Sequence, residues 1–276
     1  WVNCTSIDSF ISLIETISGG DIMKGIIADF TNYSDTRKAA AISDHLMRNL
    51  EENTIVLQMM NQKNQNVSVG YDDTKAPHFD EGVQYYRDQG YGVSIRNSGG
   101  RSVVNDEGIL NFSLIYQSSE SSEMAYLYFY QFLKDALAPL DLTIKFGEIK
   151  GAYCPGTFDI SIDLQKVAGT AQRRVGKNTL VGCYLSVNGD QHARSTLISN
   201  FYKITKDIIS VNPDKMTTLE DKIKRSITID EVKTLLINHF KTITESTTLL
   251  DPTSYEDKDL KVALDRMQNQ QNRFNL

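Results

Sequence analysis

The stretch Lys150–Arg174 constrains the chain most. It places Cys154 in a turn bounded by Gly151, Pro155 and Gly156, follows it with an alternating segment, and then sets Lys166 immediately before Val167-Ala168-Gly169. Phe158, Ile160 and Ile162 share one side of that segment, and Thr157, Asp159, Ser161 and Asp163 the other, which is the period of a half-buried strand. A chain reversal after the strand would return Lys166 toward Cys154. Alternating strands joined by short polar turns favour a mainly antiparallel sheet over the continuously apolar parallel strands of a dinucleotide fold.

The same stretch has a chemical reading. A thiol becomes a good nucleophile as the thiolate, which a neighbouring ammonium or backbone N–H groups favour. A thiolate that attacks an acyl group forms a thioester, and an acceptor amine can then take the acyl group without a metal. Isolated cysteines are more often packed than reactive. For Cys154 the adjacent Pro-Gly turn and the downstream Gln172-Arg173-Arg174 favour the reactive reading, whereas Cys183, inside Leu180-Val181-Gly182-Cys183-Tyr184-Leu185, has the setting of a packed small hydrophobe.

A second candidate site is Arg96-Asn97-Ser98-Gly99-Gly100-Arg101, after a strand over 91–95. Glycine there lets a ligand approach the main chain, and the loop's N–H groups can bind a phosphate or carbonyl oxygen. The spacing fits neither a dinucleotide fingerprint nor a P-loop.

These motifs and their order carry a resemblance. Gln165-Lys166-Val167-Ala168-Gly169 resembles the acyl-lysine loop of the family that includes lipoate-protein ligases, octanoyltransferases and biotin-protein ligases. Arg96 through Gly108 resembles its glycine-rich loop, and Gly70-Tyr71-Asp72-Asp73 precedes both. Tyr153-Cys154-Pro155-Gly156-Thr157-Phe158-Asp159 with Ala168-Gly169-Thr170-Ala171-Gln172-Arg173-Arg174 is most similar to the cysteine-dependent branch that moves octanoate between lipoyl domains. The resemblance spans about residues 31–195, and it departs from the family at Asn105, where a histidine is frequent, and at 59–63, where a Trp-rich segment is usual.

The resemblance implies an α/β (α+β) fold: a biotin/lipoate ligase-like catalytic core with a mixed, mainly antiparallel sheet and a helical C-terminal appendage. It implies Cys154 and Lys166 as catalytic residues, Lys166 acting on the developing oxyanion, and Arg96, Ser98, Gly99, Gly100, Asn105, Asp106, Gly169 and Thr170 as substrate-binding residues. Asp106 reads equally well as a structural turn residue before Gly108. The donor it implies is the glycine cleavage H protein and the acceptor a lipoyl domain of a 2-oxoacid dehydrogenase E2 subunit, with acyl carrier protein open as a second donor. The transferred group is octanoyl or lipoyl, and no cofactor is required. Arg96, Arg101, Arg173 and Arg174 would offer a positive docking rim. An ATP-dependent lipoate ligase and a non-enzymatic acyl-binding protein stand as alternatives.

Composition is compatible with this reading. A chain of 276 residues fits a core with an appendage, and a net charge of −6 argues against a general nucleic-acid partner. No segment approaches the roughly 18 apolar residues of a membrane span. Cys4, Cys154 and Cys183 are too few and too far apart for a disulfide framework, so reduced cytoplasmic thiols are the simpler account.

The expected division is an N-terminal extension over 1–30, a catalytic core over 31–211 and a helical segment over 212–276. Helical spacing appears over 7–17, from Ser34 as cap through Ala39, Ile42, Leu46 and Leu50, over 79–89, and over 121–137 with Met124, Leu127, Tyr128, Phe132 and Leu133. Strands are expected over 53–60, 66–69, 111–116, 142–149 and 179–187. Beyond residue 212, capping-box spacings at Thr217/Glu220 and Thr228/Glu231 and the stripe Val232, Leu235, Leu236 and Phe240 mark helices. The last stretch carries Leu260, Val262, Leu264 and Met267 and is expected to fray into a solvated polar tail.

Overall fold

The computed structural model describes residues 23–96 and 100–274; the expected helix over 7–17 lies outside them. The larger sheet begins with β1 (Lys24–Phe30). Helix α1 (Thr36–Arg48) follows, then β2 (Thr54–Asn61) and β3 (Asn66–Val69). Asp35, not Ser34, caps α1: its carboxylate accepts from the Lys38 N–H at 2.8 Å, a contact of about 1 kcal/mol. Next come α2 (Phe79–Asp88), β4 (Gly92–Ile95), β5 (Val103–Asn105) and β6 (Ile109–Gln117).

Helix α3 (Ser122–Ala136) starts where the Ser121 hydroxyl accepts from the Met124 N–H. Its buried face is Ala125, Tyr128, Phe129, Phe132 and Leu133, rotated from the expected stripe so that Met124 and Leu127 are only half-buried. Strands β7 (Ile144–Phe146), β8 (Ile160–Ile162), β9 (Gln165–Val175) and β10 (Asn178–Ser186) complete the central part. Both β7 and β8 are shorter than the alternation predicts, because the chain between them is given over to the Cys154 turn.

Helix α4 (Gln191–Thr205) has no counterpart in the sequence reading. Its buried face mixes Leu197, Ile198, Phe201 and Tyr202 with Gln191, Arg194, Ser195 and Ser199, so an apolar stripe is weak there. Then follow α5 (Leu219–Ile223), α6 (Ile229–Thr242), β11 (Ser246–Leu249) and α7 (Asp257–Arg273). The capping box of α5 is Thr218 with Asp221, one residue beyond the expected Thr217/Glu220, while Thr228 caps α6 through the Glu231 N–H as its spacing predicts.

The large sheet runs β11-β1-β2-β6-β10-β9-β8-β7; the pairs β11/β1 and β1/β2 are parallel and the other five antiparallel. Thus residues 24–30, within the stretch read as an extension, lie inside this sheet, and so do residues 246–249 of the C-terminal stretch. A smaller sheet runs β4-β3-β5. Period-two alternation sends Ile55, Leu57, Phe112, Leu114, Val181 and Leu185 to one face of the large sheet, where α3 and α6 pack with Phe129, Phe132, Leu236 and Phe240. Val56, Ile115 and Leu180 face the other way, toward α1 and Leu260 and Ala263 of α7. The small sheet forms a second core with α2 and α4, including the stacked Tyr86–Phe201 pair at 4.6 Å. Among the described residues no helix is long and apolar enough to cross a membrane.

Candidate active site

The lysine is returned to the cysteine by the β8–β9 hairpin. Its two turn residues, Asp163 and Leu164, have φ of 50° and 64°, the positive pair that a type I′ turn requires. A register shift at Ile160/Ser161 sets Lys166 opposite Ser161. Lys166 is fully buried, and all three of its ammonium donors are engaged. They reach the Asp159 carboxylate at 2.8 Å and the carbonyls of Tyr153 and Cys154 at 3.0 and 2.6 Å. Lys166 therefore clamps the cysteine turn, and an acyl oxygen finds no unused N–H on it. Asp159 closes the clamp by accepting from the Gly156 N–H at 3.1 Å. Burial raises its carboxyl above the ordinary value despite the Lys166 ammonium. The sequence reading placed Asp159 on the polar side of its strand but did not single it out.

Clamped in this way, Cys154 adopts φ +45°, a conformation that non-glycine residues rarely take and that costs of order 1–3 kcal/mol. Its half-buried sulfur receives two donors: Arg96 Nη2 at 3.1 Å and the Arg101 N–H at 3.2 Å. Both stabilise negative charge on sulfur.

Each donor is itself held. Arg96 Nη2 also donates to the Arg101 carbonyl. The Arg101 side chain bridges Asp73 at 3.3 Å and Asp207 at 2.6 Å, which fixes its backbone beneath the sulfur. Asp73, fully buried, accepts in addition from the Gly70 N–H, Ser102 Oγ and the Tyr202 hydroxyl, and burial raises its carboxyl. The Gly70-Tyr71-Asp72-Asp73 turn thus supports the glycine loop from behind. Gly100, at φ +101°, has no room for a side chain: a Cβ would strike Arg96 Nη2 and lie 3.0 Å from Cys154 Sγ.

The remaining expected residues divide. Asn105, Gly169 and Thr170 line the same cavity as Cys154 and Arg96. Asn105 donates to Ser68 Oγ at 3.1 Å and accepts from Asn111, and the Thr170 hydroxyl donates to the Phe158 carbonyl. A Cβ on Gly169 would meet the Tyr184 ring and lie 3.1 Å from Lys166 Nζ. Asp106 is absent from the cavity wall: Arg194 Nε and Nη2 grip its carboxylate at 2.7 Å each, so its role is to anchor α4. Ser98 and Gly99 lie outside the described residues.

The expected docking rim does not form as such. Arg96 serves the thiol, Arg101 is spent on two aspartates, and Arg173 pairs with Asp44 at 2.6 Å; of the four, Arg174 is the exposed one.

The cavity, of about 320 Å³ and mainly apolar, extends from Cys154 along the sheet face made by β2, β6, β10 and β9. Ala263, Arg266 and Met267 of α7 form its outer wall, a part of the chain that the sequence reads as a fraying tail. Cys183 belongs to a strand that floors the cavity, but its side chain lies in the core on the opposite face with Val181 and Leu185, where burial pushes its thiol well up.

Cys154, with two donors on its sulfur, thus lines a mainly apolar cavity in a two-sheet α/β core. The chain belongs to the lipoyl protein ligase A/B catalytic domain family, whose model matches residues 35–241. It is 38% identical to the lipoyl-[GcvH]:protein N-lipoyltransferase of Listeria monocytogenes, over 63% of this chain and 66% of that one. Identity to the octanoyl-[GcvH]:protein N-octanoyltransferase of Geobacillus kaustophilus is 37% (71% and 69%), and to that of Staphylococcus aureus 31% (83% and 81%). The chain spans about two thirds of the length of the first of these relatives. The fold is also that of lipoate-protein ligase A crystallised with ATP, with a TM-score of 0.69 at 18% identity over 89% of this chain and 95% of that one. The lipoate-bound ligase Ta0514 of T. acidophilum matches at 0.67 and 18% over 89% and 96%. The expected mixed, mainly antiparallel core is therefore present.

Proposed function

We propose that the protein is an acyltransferase that moves an octanoyl or lipoyl group from the lysine of glycine cleavage H protein, through a thioester on Cys154, to the lysine of a 2-oxoacid dehydrogenase lipoyl domain. The observation that carries this is the pair of donors on Cys154 Sγ, which lines the cavity. The names of the relatives, which specify H-protein-linked octanoyl and lipoyl groups, support the donor.

In the first half-reaction sulfur attacks the amide carbonyl of the acylated lysine. The carbon–sulfur bond forms, the carbon–nitrogen bond breaks, and the thiol proton leaves with the donor's amine. In the second, the acceptor lysine attacks the thioester carbonyl, the carbon–sulfur bond breaks, and sulfur regains a proton from the attacking amine. Atoms balance without a nucleotide or other cofactor. Arg96 and the Arg101 N–H hold sulfur as the departing or attacking anion, and Lys166 contributes by pinning the turn and placing a positive charge beside it. Burying the acyl chain supplies about 0.8 kcal/mol per CH₂, enough to favour medium over short chains. Among the described residues the free thiols, Cys154 and Cys183, suit a reducing, cytoplasmic setting.

The test is intact-protein mass spectrometry after mixing with octanoylated H protein without ATP, followed by an apo lipoyl domain. The expected result is an octanoyl adduct that disappears on adding the acceptor and never forms in Cys154→Ser. An adduct that persists in that variant overturns the assignment. Faster productive transfer from octanoyl-acyl carrier protein would move the donor, and a strict ATP requirement would replace the mechanism with a ligase's.

A further inference from the structure

The cavity lining follows one strand pair from end to end. β9 and β10 pair so that Gly169 lies opposite Tyr184 and Arg173 opposite Leu180, and all four residues line the cavity. Gly169 and Tyr184 mark the Lys166–Cys154 end. Arg173 and Leu180 stand a four-residue strand step away, about 13 Å at the usual strand rise. That distance accommodates an extended acyl chain of about eight carbons and its thioester.

At that far end three elements converge on one carboxylate. Asp44 of α1, only 8% exposed, accepts from Arg173 of β9 at 2.6 Å, from Arg266 of α7 at 3.0 Å and from Arg48 at 2.9 Å. Asp44, Arg173 and Arg266 all face the cavity. The carboxyl is held below its ordinary value: burial works against this, but the hydrogen bonds and charge of Arg48 and Arg173 outweigh it.

We propose that the Asp44–Arg173–Arg266 cluster is the end wall of the acyl cavity and sets the longest chain the enzyme accepts. The proposal rests on the acyl-transfer reading above. A methylene pushed beyond Leu180 meets charged groups already bonded to one another, gains no apolar contact, and must part an ion pair or lift α7 to proceed. Asp44 and Arg173 lie within residues 35–241 that match the family model, whereas Arg266, on α7, lies outside them.

The experiment offers the enzyme hexanoyl, octanoyl, decanoyl and dodecanoyl H protein and reads Cys154 adduct rates by intact mass. Wild type is expected to favour octanoyl over dodecanoyl by about tenfold or more, the effect of overfilling a packed site. In Arg173→Ala/Arg266→Ala that ratio should fall to about threefold or less as the end of the cavity opens. A second variant, Ser43→Leu, narrows the cavity beside Asp44 without removing a charge and should lose octanoyl labelling while keeping hexanoyl labelling. An unchanged octanoyl-to-dodecanoyl ratio in a folded double variant overturns the proposal. So does a Ser43→Leu protein with wild-type chain preference, which keeps the question decidable if the double variant fails to fold. Absence of any Cys154 adduct in wild type would instead refute the acyl-transfer reading.

Discussion

Cys154 and Cys183 belong to the two sides of one sheet and show how differently a fold can treat the same side chain. Cys154 sits in a left-handed turn, clamped by Lys166 and Asp159 and supplied with two hydrogen-bond donors. Cys183 sits in a regular strand among Val181, Phe112 and Leu185, with a thiol that burial keeps protonated. Cys154 is held by polar contacts that must all be satisfied, and Cys183 by packing that asks only for volume.

The comparison breaks first at the clamp. Lys166→Met leaves Asp159 buried without its partner and should cost about 3–5 kcal/mol in urea unfolding. Lys166→Met/Asp159→Leu should recover most of that, and a single-variant loss below about 1 kcal/mol would show that the ion pair does not hold the turn. A smaller effect is expected at the donors. Arg96→Met should slow iodoacetamide labelling of native Cys154 by about tenfold, while Cys183 stays unlabelled until the protein is unfolded. Equal labelling rates would remove Arg96 from the sulfur's environment. Smaller again, Cys183→Ala should cost about 1 kcal/mol through lost packing and leave Cys154 labelling unchanged.

The polar side of the fold was only partly legible in the sequence. Alternation and helical spacing were enough for β2, β3, α2 and α3, and the order of motifs was enough to place Cys154, Lys166 and Gly100 together. Helix α4 was not legible because Arg194, Gln191 and Ser195 interrupt its buried face; the partners of Arg194 and Gln191, Asp106 and Tyr153, are distant in the chain, and Ser195 donates to the Gln191 carbonyl. Arg173 and Arg101 read as surface charge because nothing local reveals Asp44 or Asp207. The clamp residue Asp159 was visible as a strand position, yet its pairing depends on the hairpin register.

The smallest expected effect concerns pH. Burial beside the Phe132 ring lowers His239 from its ordinary 6.5. Its contribution to stability is present above pH 6.5 and is lost as the pH falls through the depressed folded value, because the unfolded chain takes up the proton first. His239→Leu should flatten the melting temperature across that window. An undiminished slope would place the acid sensitivity elsewhere.

The pairing of Lys24–Ile27 with Ser246–Leu249 has a consequence for synthesis. When β1 emerges from the ribosome, its partner on the outer side lies more than two hundred residues away, so β1 must dock on β2 and wait with one row of N–H and C=O groups open. Such a strand is a template for pairing with a neighbouring chain. The Cys154 turn can form long before that edge is covered, but α7, which follows β11, arrives later still. A nascent chain would therefore hold Cys154 beside a cavity that still lacks Ala263, Arg266 and Met267, and under the proposed end wall its choice of chain length would come only once α7 has docked.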